Sequence, residues 1–186
     1  MLNRGGWVFT PRDLSALGDP RSVGMALTRL SRKGIIRQLA RGLYDYPKDD
    51  PTFGRVLPSA DAVAKALAAR DASRLQPAGA YAANILGLSE HAPARVVFLR
   101  DGPSRRVKFG QQEVVLKRTT PRNVATAGRK SGTIIQALRH IGQRNVNDKT
   151  LELVKRQLTK QDRAQLLKDL RYAPGWIAEI LRRLAT

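Results

Sequence analysis

Residues 7–47 constrain the fold of this chain more than any other stretch, because helix starts, a helix stop and a pair of turn-linked strands follow one another there without a gap. Thr10-Pro11-Arg12-Asp13 opens a first helix. The Thr10 hydroxyl is placed to accept from an orphan backbone N–H, Pro11 suits the first helical position, and Asp13 favours the positive helix end. Asp19-Pro20 opens a second helix in the same way, and Leu17-Gly18 between them supplies the tight exit that lets the two cross steeply. Gly34 stops the second helix. Residues 35–39 and 43–46 then read as short strands joined through Ala40-Arg41-Gly42. That order is the grammar of a winged helix-turn-helix.

In the second helix Val23, Ala26, Leu27 and Leu30 recur at helical spacing and are expected to face inward. Arg21, Ser22, Met25, Thr28, Arg29 and Arg32 then fall on or near the outer face, followed by Lys33. Arginines and small hydroxyls on one helix face suit a DNA groove. The candidate DNA contacts are therefore Arg21, Ser22, Thr28, Arg29, Arg32 and Lys33, with Arg37 on the first strand and Arg41 at the hairpin tip. The alternative is a small helical domain whose arginines only solvate its surface.

The charge balance favours a polyanionic partner. Of the 186 residues, 34 are Lys or Arg and 15 Asp or Glu, a net charge of +19, far more than solubility requires. Residues 1–57 carry +5, 58–128 carry +6 and 129–186 carry +8, so every third of the chain is positive. No cysteine occurs, which excludes disulfides, cysteine-bound zinc and thiol catalysis. His91 and His140 are the only histidines and lie in no metal-ligand spacing. No cofactor or metal is expected. No apolar run is long enough for a membrane span and no apolar signal core opens the chain, so a cytoplasmic location is expected.

The segment 48–58, with Pro51 and Pro58 just after Pro47 and no periodicity, reads as a linker between a first domain, 1–47, and a second, 59–186. Ser59 caps a helix to Arg70 whose buried stripe is Ala60, Val63, Ala64, Leu67 and Ala68. Another helix is expected from about Pro77 to Leu86, with Tyr81, Ala82, Ile85 and Leu86 as its apolar side. Residues 95–100, 105–109 and 113–118 then form a small antiparallel sheet, with Asp101-Gly102-Pro103-Ser104 as a hairpin turn. From Ser131 onward the stripes are helical again, ending with a helix that starts at Pro174 and carries Trp176, Ile177, Ile180, Leu181 and Leu184. The expected fold class is α+β, an N-terminal winged helix-turn-helix followed by a domain of helices around a small antiparallel sheet.

Nothing assembles a catalytic centre. The Asp101–Arg106 stretch lacks the Gly-x-x-x-x-Gly-Lys spacing of a nucleotide loop, and Asp49-Asp50 has no second acidic cluster to complete a nuclease metal site. There is no Gly-x-Ser-x-Gly. The chain reads as non-enzymatic.

Four blocks carry a resemblance: Gly6-Trp7-Val8-Phe9-Thr10-Pro11; residues 26–37 with Arg41-Gly42-Leu43-Tyr44-Asp45-Tyr46-Pro47; Gln76-Pro77-Ala78-Gly79-Ala80-Tyr81-Ala82-Ala83-Asn84; and Asp101-Gly102-Pro103-Ser104-Arg105. In these the chain resembles the AbiEi-type antitoxins, the transcriptional-regulator halves of type IV toxin–antitoxin systems, and most of all the branch known only as a domain of unknown function. The resemblance implies a winged helix that represses its own operon at inverted DNA repeats and a C-terminal domain that counteracts a nucleotidyltransferase-like toxin. The expected state is a monomer in solution or a pair formed on DNA. Relatives carry a basic helix ahead of the Trp-Val-Phe-Thr-Pro motif, whereas six residues precede Trp7 here. Either the natural start lies further upstream, or that helix is missing. Taken without the resemblance, the residues reach a DNA-binding regulator with a second α+β domain. A stand-alone repressor and a nucleic-acid-binding module of a processing enzyme remain open beside the antitoxin.

Overall fold

The computed structural model describes residues 6–186; residues 1–5 of the expected first domain lie outside it. The protein is α+β and divides into two compact units, Met1–Ser73 with Arg106–Val114, and Arg74–Arg105 with Val115–Thr186.

In the first unit β1 (Val8–Phe9) leads through a 3-10 segment (Pro11–Leu17) into α1 (Pro20–Arg32), followed by β2 (Arg37–Ala40) and β3 (Leu43–Asp45). The three strands form one antiparallel sheet in the order β1-β3-β2. Val8 lies opposite Asp45 on one side of β3, Arg37 lies opposite Asp45 on the other, and a bulge falls between Gln38 and Ala40. Phe9, Val23, Leu27 and Ile36 are buried together, with Trp7, Leu14, Leu30 and Tyr44 packed on them. Trp7 and Phe9 stack at 4.5 Å between ring centres.

The first of the two expected helices is this 3-10 segment instead of an α-helix. Seven residues, none of them buried, give too little packing to draw the turn into α geometry. Its start is fixed differently as well: Asp13 Oδ2 accepts from the Thr10 N–H at 2.6 Å and from the Thr10 hydroxyl at 2.9 Å. In α1, Val23 and Leu27 are buried and Leu30 half-buried as expected, but Ala26 is exposed. The inward stripe is narrower than its apolar residues suggest.

The segment expected as a linker holds a hairpin, β4 (Lys48–Asp50) and β5 (Gly54–Val56), paired antiparallel. Asp50 builds its turn by accepting from the N–H groups of Thr52 and Phe53, which lowers the carboxyl pKa below its ordinary value. Helix α2 (Ala60–Ala69), capped by Ser59, buries the expected stripe of Ala60, Val63, Ala64, Leu67 and Ala68. It belongs to the first unit, with β1, so the boundary lies near Ser73, well beyond the expected start of the second domain at 59.

The second unit begins with β6 (Leu75–Ala78) and α3 (Gly79–Ile85). The stretch from Pro77, expected as helix, is thus half strand. Pro77 sits on β6, an edge strand, where its missing N–H leaves no ladder bond unmade in mid-sheet. Strand β7 (Arg95–Arg100) belongs to the second unit too, while β8 (Arg105–Phe109) from Arg106 onward and the first residues of β9 (Gln112–Arg118) count with the first unit; the strand order of this sheet is β6-β7-β9-β8. Because β9 lies between β7 and β8, Asp101–Ser104 is a connection across a strand, and the expected hairpin turn is corrected. Asp101 instead holds Arg74, accepting from its N–H and its Nε at 2.8 Å each.

Five helices follow, α4 (Pro121–Val124), α5 (Lys130–Ile141), α6 (Asp148–Lys155), α7 (Lys160–Asp169) and α8 (Gly175–Ala185), with 3-10 turns at Gln143–Asn145 and Leu170–Tyr172. Their core gathers Ile134, Leu138, Val154, Leu166, Ile177, Leu181 and Leu184 with Ala82, Ala83 and Leu86 of the α3 region. Among the described residues no helix is long and apolar enough to cross a membrane.

Candidate nucleic-acid interface

Helix α1 carries its arginines on one exposed face. Its start is rigid: Asp19 Oδ1 accepts from the N–H groups of Arg21 at 3.0 Å and Ser22 at 3.1 Å, and Pro20 follows at the first turn. Hydrogen bonds from Ser22, side chain and backbone, hold the Asp19 carboxyl below its usual pKa. At the other end Gly34 takes φ +68°, a left-handed conformation that only glycine adopts without strain. Arg55 of the β4–β5 hairpin donates to the Gly34 carbonyl at 3.0 Å and steadies that end. Arg12 anchors the 3-10 segment by donating to the Arg70 carbonyl at 2.6 Å.

Between these fixed ends Arg21, Ser22, Thr28, Arg29, Arg32 and Lys33 are all exposed, as expected. The helix contains no acidic residue. Among the described residues no carboxylate forms an ion pair with the guanidiniums of Arg21, Arg29 or Arg32. Pro20, Gly24, Met25 and Thr28 lie with these arginines around a shallow depression. The Thr28 hydroxyl donates to the Gly24 carbonyl at 2.9 Å, leaving its oxygen as an acceptor toward solvent. Met25 stays 49% exposed, an apolar group beside three unpaired cations. Such a face can give charge-assisted bonds to phosphates and bidentate bonds to base edges.

The two expected hairpin residues separate. Arg41 is exposed at the β2–β3 turn beside Gly42, whose φ of +70° lets the chain reverse tightly. Arg37 is committed elsewhere: its Nε and Nη2 meet the two Asp45 carboxylate oxygens at 3.1 and 2.6 Å, and Nη2 also meets the Val56 carbonyl at 2.9 Å. The Asp45 side chain is 1% exposed. Arg37 neutralises a buried acid and is removed from the candidate contacts. Arg41→Ala is accordingly expected to lower the log–log salt slope of duplex binding by about 0.9 if Arg41 meets one phosphate. Salt-series gel shifts read it directly, and an unchanged slope would give Arg41 no phosphate.

Arg12 and Arg55, which hold the face in place, carry no signal in the sequence beyond being basic. Their partners are backbone carbonyls 58 and 21 residues away. Among the described residues no group of three His, Asp or Glu side chains is arranged to hold a metal ion.

An α+β chain with an unpaired cationic helix face is what this arrangement defines. The chain belongs to the family of unknown function DUF6088, whose model matches residues 2–166. Among solved structures it is similar to the crystal structure of the RV2827C protein from Mycobacterium tuberculosis, with a TM-score of 0.51 and 18% identity over 96% of this chain and 72% of that one. At that identity the likeness concerns the fold alone. No curated protein matches the chain.

Proposed function

We propose that the first unit is a winged helix-turn-helix and that the protein is a sequence-specific DNA-binding regulator, with α1 as the helix that enters the major groove. The observation that carries this reading is the outer face of α1: three arginines without acidic partners, framed by a fixed cap and a fixed stop. A merely solvated helix commonly interleaves its cations with acids three or four residues away, and α1 does not. The 3-10 segment and α1 stand as the helix pair, and the β2–β3 turn with Arg41 stands as the wing.

Arg29→Ala and Arg32→Ala test it. Each is expected to weaken binding to the operator region by about 1–3 kcal/mol if it reads a base edge, and by less if it meets phosphate. Gel-shift titrations at one fixed salt concentration measure this. Unchanged affinity in both variants would take α1 out of the groove.

The resemblance to AbiEi-type antitoxins extends the proposal to an autoregulating antitoxin that counteracts a nucleotidyltransferase-like toxin. Its test uses the full chain, because a cut at residue 59 would take α2 out of the first unit. With Arg29→Ala and Arg32→Ala combined, rescue of growth from the cognate toxin is expected to persist while repression is lost. Loss of rescue together with repression would tie the antitoxin activity to DNA binding instead.

A further inference from the structure

A second cationic group lies wholly within the second unit. Arg122 on α4, Arg139 near the end of α5 and Arg171 in the 3-10 turn after α7 are all exposed. One Arg122 Nη2 bond, at 2.9 Å, goes to the Arg171 carbonyl, and Arg139 donates to Asn123 Oδ1 at 3.0 Å. Asn123 is itself fixed by donating to the Thr119 hydroxyl at 2.8 Å. The Arg171 guanidinium lies 4.9 Å from the centre of the Tyr172 ring. Each cation is thus oriented by a neutral partner, with most of its five N–H donors left over. Partial desolvation and then the neighbouring positive charge of Arg122 lower the pKa of Arg139 below its ordinary value.

Several other cations of this unit are answered by acids: Arg129 meets Asp169 at 2.6 Å, Lys130 meets Asp162 at 3.0 Å and Arg183 meets Asp148 at 3.3 Å. Among the described residues no carboxylate forms an ion pair with Arg122, Arg139 or Arg171. Arg122 and Arg139 are close enough for the charge of one to act on the other, and an oxyanion between like charges turns their repulsion into charge-assisted bonding.

We propose that Arg122, Arg139 and Arg171 form a cradle for backbone phosphates of duplex DNA, a second contact that is blind to sequence. The proposal rests on the reading that DNA is the partner. The chemistry of the group favours nucleic acid over an acidic protein face, because it is built from arginine, asparagine and threonine, with the half-buried Tyr172 ring beside Arg171. Protein partners are held at an apolar centre, whereas DNA interfaces are polar and strongly positive.

The experiment measures binding of the full chain to a duplex of arbitrary sequence across a salt series. The proteins compared are the native chain, Arg122→Gln/Arg139→Gln, Arg122→Lys/Arg139→Lys and Arg29→Ala/Arg32→Ala. The glutamine pair is expected to lower the log–log slope by about 1.8, two phosphates at about 0.9 each, and the lysine pair to restore most of it. Arg139→Gln alone, which gives up only the Asn123 bond, is expected to lower the slope by about 0.9 and serves if the pair fails to fold. An unchanged slope in a folded glutamine variant would overturn the cradle and leave the group to a carboxylate-bearing partner. If the α1 variant binds operator and arbitrary duplex like the native chain while the glutamine pair loses slope, the groove reading fails and the cradle stands. No duplex binding by the native chain would overturn both.

Discussion

Arg37→Ala is expected to destabilise the first unit by about 3 kcal/mol, the lower end for a buried pair, because it removes the half-buried partner of a buried carboxylate and leaves that charge uncompensated. Asp45 loses both guanidinium bonds, at 3.1 and 2.6 Å, from a position where its side chain is 1% exposed. The Val56 carbonyl loses its donor too, so the start of the chain beyond β5 loosens with it. Trp7, stacked on Phe9 in the same unit, reports the transition in a Trp176→Phe background followed through urea unfolding. A loss below about 1 kcal/mol would place the pair among ordinary surface ion pairs.

Gly132→Ala should cost the second unit about 3 kcal/mol, the upper end of what overpacking a close-packed site does. A Cβ there would stand 2.1 Å from Gln76 Oε1, 2.6 Å from the Thr126 carbonyl oxygen and 2.7 Å from the Thr126 hydroxyl. Gln76 and Thr126 are buried, and a backbone oxygen has no rotamer by which to retreat. Next to Gly132, Ser131 donates to the buried Asp169 at 2.6 Å and Arg129 meets the same carboxylate at 2.6 Å. Any shift of α5 to admit the methyl disturbs that polar cluster as well. Trp176 fluorescence in a Trp7→Phe background follows this unit, and an unfolding midpoint equal to the parent would mean that α5 moves aside freely.

These two sites also show where reading a sequence succeeds and where it stops. The caps and stops of α1 were legible because their partners are neighbours: Asp19 serves Arg21 and Ser22, and Gly34 needs only its own positive φ. The α2 stripe was legible for the same reason, since its apolar residues keep helical spacing and all are buried. The exposed candidates on α1 and at Arg41 followed from that local frame.

Pairings across distance were not legible. Arg37 read as a wing cation until its strand register placed it opposite Asp45, a signal present in the sequence only once the pairing is known. The linker reading failed because prolines and acids at 48–58 resemble an open connection, while a three-on-three residue hairpin forms from Asp50 capping its own turn. The hairpin reading at Asp101–Ser104 failed because strand order is decided by the sheet, where β9 enters between β7 and β8. The Arg122, Arg139 and Arg171 group joins three elements that no spacing links.

Selection of bound duplexes from a randomised pool, run in parallel with the native chain and Arg29→Ala, tests most directly whether α1 reads DNA. The native chain is expected to enrich one motif, and Arg29→Ala to relax the preference at one position of that motif while keeping the rest. Recovery of no motif, or of the same motif at every position with both proteins, would contradict the assignment of α1 to the groove.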